Sequence, residues 1–286
     1  MMNSKTPILR HIANLWSLVE HPSVKREWSL ERKIADIAEA SFDGFSTLPT
    51  KHHARLAQQY ELMIIGYISS GKASEFHDSI QQNLDCGAHH INVQLADHDT
   101  PVKTSVKLAV QLFEIANKLG AEVAVEVHRD TCTETPEKTY AIAAGFRKTT
   151  GKLLPITWDF SHIAVVKHLN PPYWERLLAD AKLIQRAQQF HFRPFNGHHC
   201  QVSVTDGKGK LSRELIQWLP FLEKTLATWL AGNQSGREIF AVPELGPLNS
   251  GAVGYGLSAF PPSWDDAKVL RGIIDRTWRK AIANYP

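Results

Sequence analysis

Short apolar or alternating segments recur along the chain, and each is followed by an amphipathic stretch of helical length. Alternation with a period of two predicts a strand, whereas apolar residues spaced three and four apart predict a helix. This pattern predicts eight strands, near Ala13–Leu18, Gly44–Thr47, Glu61–Ile68, His90–Ala96, Glu122–His128, Leu154–Asp159, Gln188–Arg193 and Glu238–Glu244. It also predicts eight helices, near Ser29–Ala40, His52–Gln59, Ser74–Cys86, Val102–Leu119, Glu137–Thr149, Pro172–Leu183, Ser212–Ala231 and Trp264–Asn284.

The regular succession of strand and helix favours a TIM barrel. Eight units in 286 residues suit a (β/α)8 barrel, which needs about 250 residues plus loops. A doubly wound open sheet is the alternative, but it would carry a glycine-rich turn after its first strand, and Val-Glu-His-Pro-Ser follows Leu18. No linker rich in Pro, Gly or Ser divides the chain. We therefore expect one α/β domain over residues 1–286, with residues 1–10 as an N-terminal tail.

Composition narrows the class of protein. The chain is 43% hydrophobic and 21% charged, with a net charge of +3, which is typical of a globular protein and argues against a nucleic-acid partner. Three widely spaced cysteines favour neither a disulfide framework nor a thiolate zinc site, so we expect a reducing, cytoplasmic compartment. Charged residues interrupt the short apolar stretches near the N-terminus, so we expect no signal peptide. No run of about 18 apolar residues occurs, so we expect no membrane association.

Polar side chains interrupt the apolar pattern at the carboxyl ends of the predicted strands. In the fifth strand three valines share one face, and Glu126 and His128 lie on the other. Corresponding side chains are Asn92 and Gln94 in the fourth strand, Asp159 at the end of the sixth, His191 and Arg193 in the seventh, and Glu244 at the end of the eighth. The carboxyl ends of barrel strands meet at one mouth, where active sites of this fold lie.

The gathered carboxylates predict a metal site. Taken singly, each residue could be an ordinary polar side chain with a hydrogen-bonding partner. Two glutamates and an aspartate at one mouth would repel one another as anions, and a divalent cation is the simplest compensation. Three carboxylates and one imidazole suit Mn²⁺ or Mg²⁺ and, less selectively, Co²⁺ or Zn²⁺. We therefore expect one divalent metal ion as cofactor.

These motifs resemble those of the xylose isomerase-like superfamily of TIM barrels, which contains sugar isomerases, ketose epimerases, inosose dehydratases and apurinic endonucleases. The resemblance rests on Glu-Val-His-Arg at 126–129, Asp-Phe-Ser-His at 159–162, His-Phe-Arg at 191–193 and Pro-Glu at 243–244. It implies that the metal ligands are Glu126, Asp159, His191 and Glu244. It also implies that Glu126 and Glu244 are the catalytic acid and base.

The resemblance also implies which residues contact the substrate. His162 corresponds to the substrate-contacting histidine three residues after the metal aspartate, and Arg193 to the arginine after the metal histidine. The remaining candidates for substrate binding are His128, Asn92, Gln94, Trp16 as an apolar wall, and Gln201 in the long loop after the seventh strand. The three-zinc pattern of the endonuclease branch is a poor match, because the predicted second and third strands carry no histidine.

The predicted activity is metal-dependent isomerisation or epimerisation of a sugar or cyclitol, by proton transfer next to a polarised carbonyl. A hydride shift between carbons is an open alternative. A dehydratase acting from the same metal site is a further possibility, as are an apurinic endonuclease-like hydrolase and a barrel that binds metal or sugar without turnover. The expected partner is a small sugar or polyol, and whether the chain forms a homo-oligomer stays open.

Overall fold

Eight parallel strands close into a barrel in the computed structural model, which describes residues 6–232, 234–247 and 262–285. Each strand pairs with the next in sequence, and β8 pairs with β1 to close the sheet. The strands are β1 Ile8–Asn14, β2 Gly44–Ser46, β3 Met63–Ser70, β4 His90–Leu95, β5 Glu122–Glu126, β6 Ile156–Trp158, β7 Ala187–Phe192 and β8 Glu238–Pro243. The predicted (β/α)8 TIM barrel is thereby confirmed.

Helices follow the strands and cover the outside of the barrel. They are α1 Leu30–Glu39, α2 Lys51–Gln59, α3 Ala73–Leu84, α4 Val102–Leu119, α5 Pro136–Thr150, α6 Phe160–Val166, α7 Trp174–Leu177, α8 Ala181–Gln185, α9 Arg213–Leu230 and α10 Ser263–Ile282. Capping residues set their ends. In α5, for example, the Thr135 side chain caps the first turn, and Gly151 ends the helix in the left-handed conformation.

Two sequence-based predictions differ from the structure. The first strand is Ile8–Asn14 rather than Ala13–Leu18, so residues 8–10 of the predicted tail are strand. Asn14 ends the strand because its side-chain oxygen accepts a hydrogen bond from the Trp16 backbone N–H at 3.0 Å, which starts a 3-10 turn over Leu15–Leu18.

The single helix predicted near Pro172–Leu183 is also wrong, because this region contains two short helices, α7 and α8. The first of them begins only at Trp174, two residues after Pro172, and ends at Leu177. Asp180 then starts α8, since its side chain accepts a hydrogen bond from the Leu183 N–H at 3.0 Å. A third helix, α6, begins directly after Asp159 and was not predicted.

Two apolar layers hold the barrel. The larger layer lies between the sheet and the helices, and it contains four fully buried tryptophans, Trp158, Trp218, Trp229 and Trp264. A smaller cluster fills the inside of the barrel with Ile12, Ile65, Phe240 and Val242. Phe240 and Val242 are register partners of Gln189 and His191 on β7. Within the described residues, no helix is both long and apolar enough to cross a lipid bilayer.

Candidate metal centre at the barrel mouth

Four strand ends bring together the four predicted metal ligands. One donor atom from each of Glu126, Asp159, His191 and Glu244 can be chosen so that all four atoms lie within 4.8 Å of one another. β5 and β7 supply Glu126 and His191, whereas Asp159 and Glu244 are the residues that follow β6 and β8. The barrel therefore assembles side chains more than 100 residues apart in sequence into a single cluster of metal-binding type.

His191 lies at the centre of this cluster. Its Nδ1 atom is 3.0 Å from Glu126 Oε1 and 3.1 Å from Glu244 Oε2. The other ring nitrogen, Nε2, contacts the side-chain amide of Gln189, which turns Nδ1 toward the carboxylates. Nδ1 and Glu244 Oε2 are buried, and neither makes a hydrogen bond of acceptable direction. An imidazole nitrogen and a carboxylate oxygen that are buried, face each other and lack a well-directed hydrogen bond are suitable ligands for a cation between them.

Amide side chains donate hydrogen bonds to one carboxylate oxygen of each glutamate. Glu126 Oε2 accepts hydrogen bonds from Asn92 Nδ2 at 2.8 Å and from Gln94 Nε2 at 3.0 Å. The Tyr67 hydroxyl donates to Gln94 Oε1 at 2.7 Å, so the nitrogen end of that amide faces Glu126. On the other side of the site, Asn14 Nδ2 donates to Glu244 Oε1 at 2.9 Å. Each glutamate thus has one oxygen held by amides and one directed at His191.

Asp159 is held by a separate set of donors. Its Oδ1 accepts from the backbone N–H of Ser161 at 2.9 Å and from the Ser161 hydroxyl at 2.5 Å. Its Oδ2 lies 2.5 Å from Arg193 Nη2 and 3.3 Å from His162 Nε2. The Asp159 side chain is fully buried. Asp159 and His162 therefore lie behind the surface of the mouth.

The surrounding charges keep Glu126 and Asp159 ionised. Burial by itself raises the pKa of Glu126, but the charge of His191 outweighs it and lowers that pKa to about 2. Burial likewise opposes ionisation of Asp159, yet Arg193 holds its pKa well below the ordinary value. Burial disfavours the His191 cation, but Glu244 and Glu126 raise its pKa well above the usual range. Burial lowers the pKa of His162 to about 4.

A cavity of about 380 Å³ opens above the cluster. Eight of the predicted site residues line it: Trp16, Asn92, Gln94, Glu126, His128, His191, Arg193 and Glu244. Its opposite wall, from β1 to β3 and the loops after them, consists of uncharged residues that include Ser46, Thr47, Leu48 and Tyr67. The cavity therefore has one charged wall, which carries three of the four candidate metal ligands, and one neutral wall.

Gln201, like Asp159 and His162, is not among the residues that line the cavity. Its side-chain amide pairs with the main chain of Gly246, at 3.0 Å to the carbonyl and 2.8 Å from the N–H. Gln201 is buried and braces the loop after β8 rather than lining the cavity.

Sequence reasoning missed three residues of the site. Asn14, Tyr67 and Gln189 all line the cavity and contact a predicted site residue or its partner. The alternation of the seventh strand does place Gln189 on the same inward face as His191 and Arg193, but Gln189 is not among the predicted site residues. Asn14 and Tyr67 had no such signal, because Asn14 contacts Glu244 only when β1 pairs with β8, and Tyr67 contacts Gln94 only when β3 pairs with β4.

A second group of metal-binding type, His98, Asp130 and Glu134, lies on the outer loops near the mouth. His98 and Asp130 are exposed and Glu134 is partly exposed. Exposed groups of this kind bind cations weakly, because water competes for every ligand.

No protein-family model matches the chain, and a search of curated proteins finds no match. Solved structures do resemble it. D-Allulose 3-epimerase from Methylomonas sp., in complex with D-allulose, is 13% identical, with a TM-score of 0.57 over 97% of this chain and 99% of that one. A xylose isomerase-like TIM barrel protein from Mycobacterium smegmatis, in complex with magnesium, is 13% identical, with a TM-score of 0.55 over 96% and 98%.

An AP endonuclease, family 2, from Brucella melitensis is 16% identical, with a TM-score of 0.54 over 89% of this chain and 95% of that one. Identities this low establish the fold alone. The chain has the fold of the xylose isomerase-like TIM barrels, as its motifs predicted.

Proposed function

We propose that this protein is a divalent-metal-dependent isomerase or epimerase acting on a small sugar or cyclitol. One observation carries the proposal: two glutamates, an aspartate and a histidine converge beside a cavity of about 380 Å³, and the buried atoms His191 Nδ1 and Glu244 Oε2 face each other without a well-directed hydrogen bond. The fold supports it, since D-allulose 3-epimerase has the same architecture. The oxygen-rich donor set favours Mn²⁺ or Mg²⁺.

The metal site and the acid–base pair share residues. A bound divalent ion would polarise the substrate carbonyl and reduce the cost of negative charge on its oxygen. Glu244, whose Oε2 faces His191 without a well-directed hydrogen bond, would take the proton from the neighbouring carbon. Glu126, held through Oε2 by Asn92 and Gln94, would return a proton from Oε1. His128 and Trp16 line the cavity and would contact the sugar hydroxyls and ring.

Proton exchange tests the proposal directly. The metal-loaded protein, incubated in D₂O with a panel of ketohexoses and inososes, should incorporate deuterium at the carbon beside the carbonyl of one substrate, as followed by NMR. Glu126→Gln and Glu244→Gln should each reduce this exchange by about 10² or more, because each removes an acid–base group. Glu122→Gln is the matched control, since Glu122 is exposed at the opposite end of the same strand.

The rival activities give different outcomes in the same experiment. Loss of one water from the substrate would identify a dehydratase, and cleavage of abasic DNA would identify a nuclease. Turnover retained in both glutamine variants, while both still bind metal, would contradict the proposed mechanism. Isothermal titration with Mn²⁺ supplies the binding control, and Asp130→Asn removes binding at the exposed His98 group from the measurement.

A further inference from the structure

The guanidinium of Arg193 lies inside the carboxylate cluster. Its Nη2 atom is 2.5 Å from Asp159 Oδ2 and 3.4 Å from Glu244 Oε2. The same atom is 2.8 Å from His162 Nε2, and Arg193 Nε donates to the Ser161 hydroxyl at 2.9 Å. The Arg193 side chain is only 3% exposed. Two edges of this guanidinium are therefore occupied by protein groups.

The charge of Arg193 contributes to the net charge of the buried cluster. The three carboxylates carry three negative charges, and Arg193 balances one of them permanently because a guanidinium does not deprotonate in proteins. A divalent cation balances the other two, so the buried centre becomes neutral when it is loaded. Buried charges without compensation are strongly destabilising, and neutrality is the state that burial favours.

We propose that Arg193 is an internal counter-cation that sets the affinity of the metal centre; this inference rests on the proposed metal site. In the metal-free protein Arg193 compensates Asp159 and keeps the cluster assembled. In the loaded protein it shares Asp159 and Glu244 with the metal and repels it, so the ion binds less tightly than the three carboxylates alone would allow. The role differs from the substrate contact that the sequence resemblance implies, because Arg193 here acts through two metal ligands.

The variant Arg193→Met tests the inference, because it keeps an unbranched side chain and removes the charge. Mn²⁺ titrated into this variant should bind about tenfold more tightly than to the wild type, since two cations only a few ångströms apart repel even at a high effective dielectric. Without metal the variant should unfold at a temperature about 5–10 °C lower, because Asp159 loses its partner. Saturating Mn²⁺ should recover at least half of that loss.

Arg237→Met is the matched control. Arg237 is also a partly buried arginine, but it donates to the backbone carbonyls of Gln185 and Ala187 at the start of β7, far from the mouth. Its loss should lower the unfolding temperature equally with and without Mn²⁺ and should leave Mn²⁺ affinity unchanged. An Arg193→Met variant that behaves in this way would overturn the counter-cation role and leave a purely structural one.

A second variant covers the case in which Arg193→Met folds poorly. Asp159→Asn combined with Arg193→Met removes both charges, so it should regain most of the metal-free stability; failure to regain it would contradict the inference, because the loss would not come from an unpaired Asp159. Wild-type protein that binds no Mn²⁺ would refute the metal site itself. Wild-type protein that binds Mn²⁺, with affinity unchanged in Arg193→Met, would refute the role of Arg193 alone.

Discussion

At the scale of single residues, the site depends on amides that hold carboxylates. Gln94 illustrates this, because its Nε2 donates to Glu126 Oε2 while its Oε1 accepts from the Tyr67 hydroxyl. A hydrogen bond to a charged, buried acceptor contributes more than one on the surface, since the carboxylate has lost its water. The orientation of the Gln94 amide is therefore set by a residue that never touches the metal ligands.

Removal of the Gln94 amide gives a prediction at this scale. Gln94→Met should reduce the free energy of unfolding of the metal-free protein by about 1–3 kcal/mol, because the charged Glu126 loses one of two amide donors. Urea denaturation measures the change. Gln81→Met is the control: Gln81 makes the same kind of bond to Asp85 at 2.8 Å, but on the surface, and its loss should cost less than about 0.5 kcal/mol. Equal losses in the two variants would contradict the bracing role of Gln94.

At the scale of elements, the loop after β8 fits tightly against the turn after β1. A Cβ atom at Gly246 would stand 2.1 Å from Cη2 of Trp16, so the indole occupies the space of a side chain. Gln201 fixes the same glycine through both of its backbone groups. This contact holds Trp16 in the wall of the cavity, close to Glu244.

Gly246→Ala should therefore be destabilising, by about 1–3 kcal/mol, because either the loop or the indole must move. Gly272→Ala is the control within a helix. There the nearest side-chain atom is the flexible guanidinium of Arg276 at 3.4 Å, and the change should stabilise α10 by up to about 1 kcal/mol. Thermal and urea unfolding would measure both variants. A neutral Gly246→Ala would show that Trp16 is free to shift.

At the scale of the whole molecule, buried and partly buried histidines outside the site make the free energy of unfolding depend on pH. Burial lowers the pKa of His11, His21, His53 and His90 below the ordinary value. A histidine with a lowered pKa in the folded state is protonated first in the unfolded chain. Its contribution to stability is therefore complete above about pH 6.5 and is lost as the pH falls below that value.

His11 provides the test, because only 4% of it is exposed. Burial lowers its pKa first, Arg271 adds to the effect, and Asp275 at 3.4 Å opposes it. Between pH 7 and 5, the free energy of unfolding should fall more steeply in the wild type than in His11→Gln, by at most about 1.4 kcal/mol per pH unit. His77→Gln, at an exposed position on α3, should leave the slope unchanged. Parallel slopes in wild type and His11→Gln would contradict this explanation.

The sequence by itself determined the fold and the four residues of the candidate metal site. Eight alternations of strand and helix predict a barrel, because period two and period 3.6 are local properties of the chain. Glu126, Asp159, His191 and Glu244 were identifiable because each interrupts or ends an apolar strand, and strand ends meet at one mouth. The boundaries of the first strand and of the helices after Asp159 could not be predicted, because they depend on side-chain caps at Asn14 and Asp180.

Only the tertiary structure decided how the site is supported. Asn14 reaches Glu244 because β1 closes the barrel against β8, and Tyr67 reaches Glu126 through Gln94 because β3 lies beside β4. Arg193 donates a hydrogen bond to Asp159, and Gln201 donates one to the Gly246 carbonyl. Strand period specifies which face a side chain takes, but its partner depends on which distant strand becomes its neighbour, and that is settled only when the barrel closes.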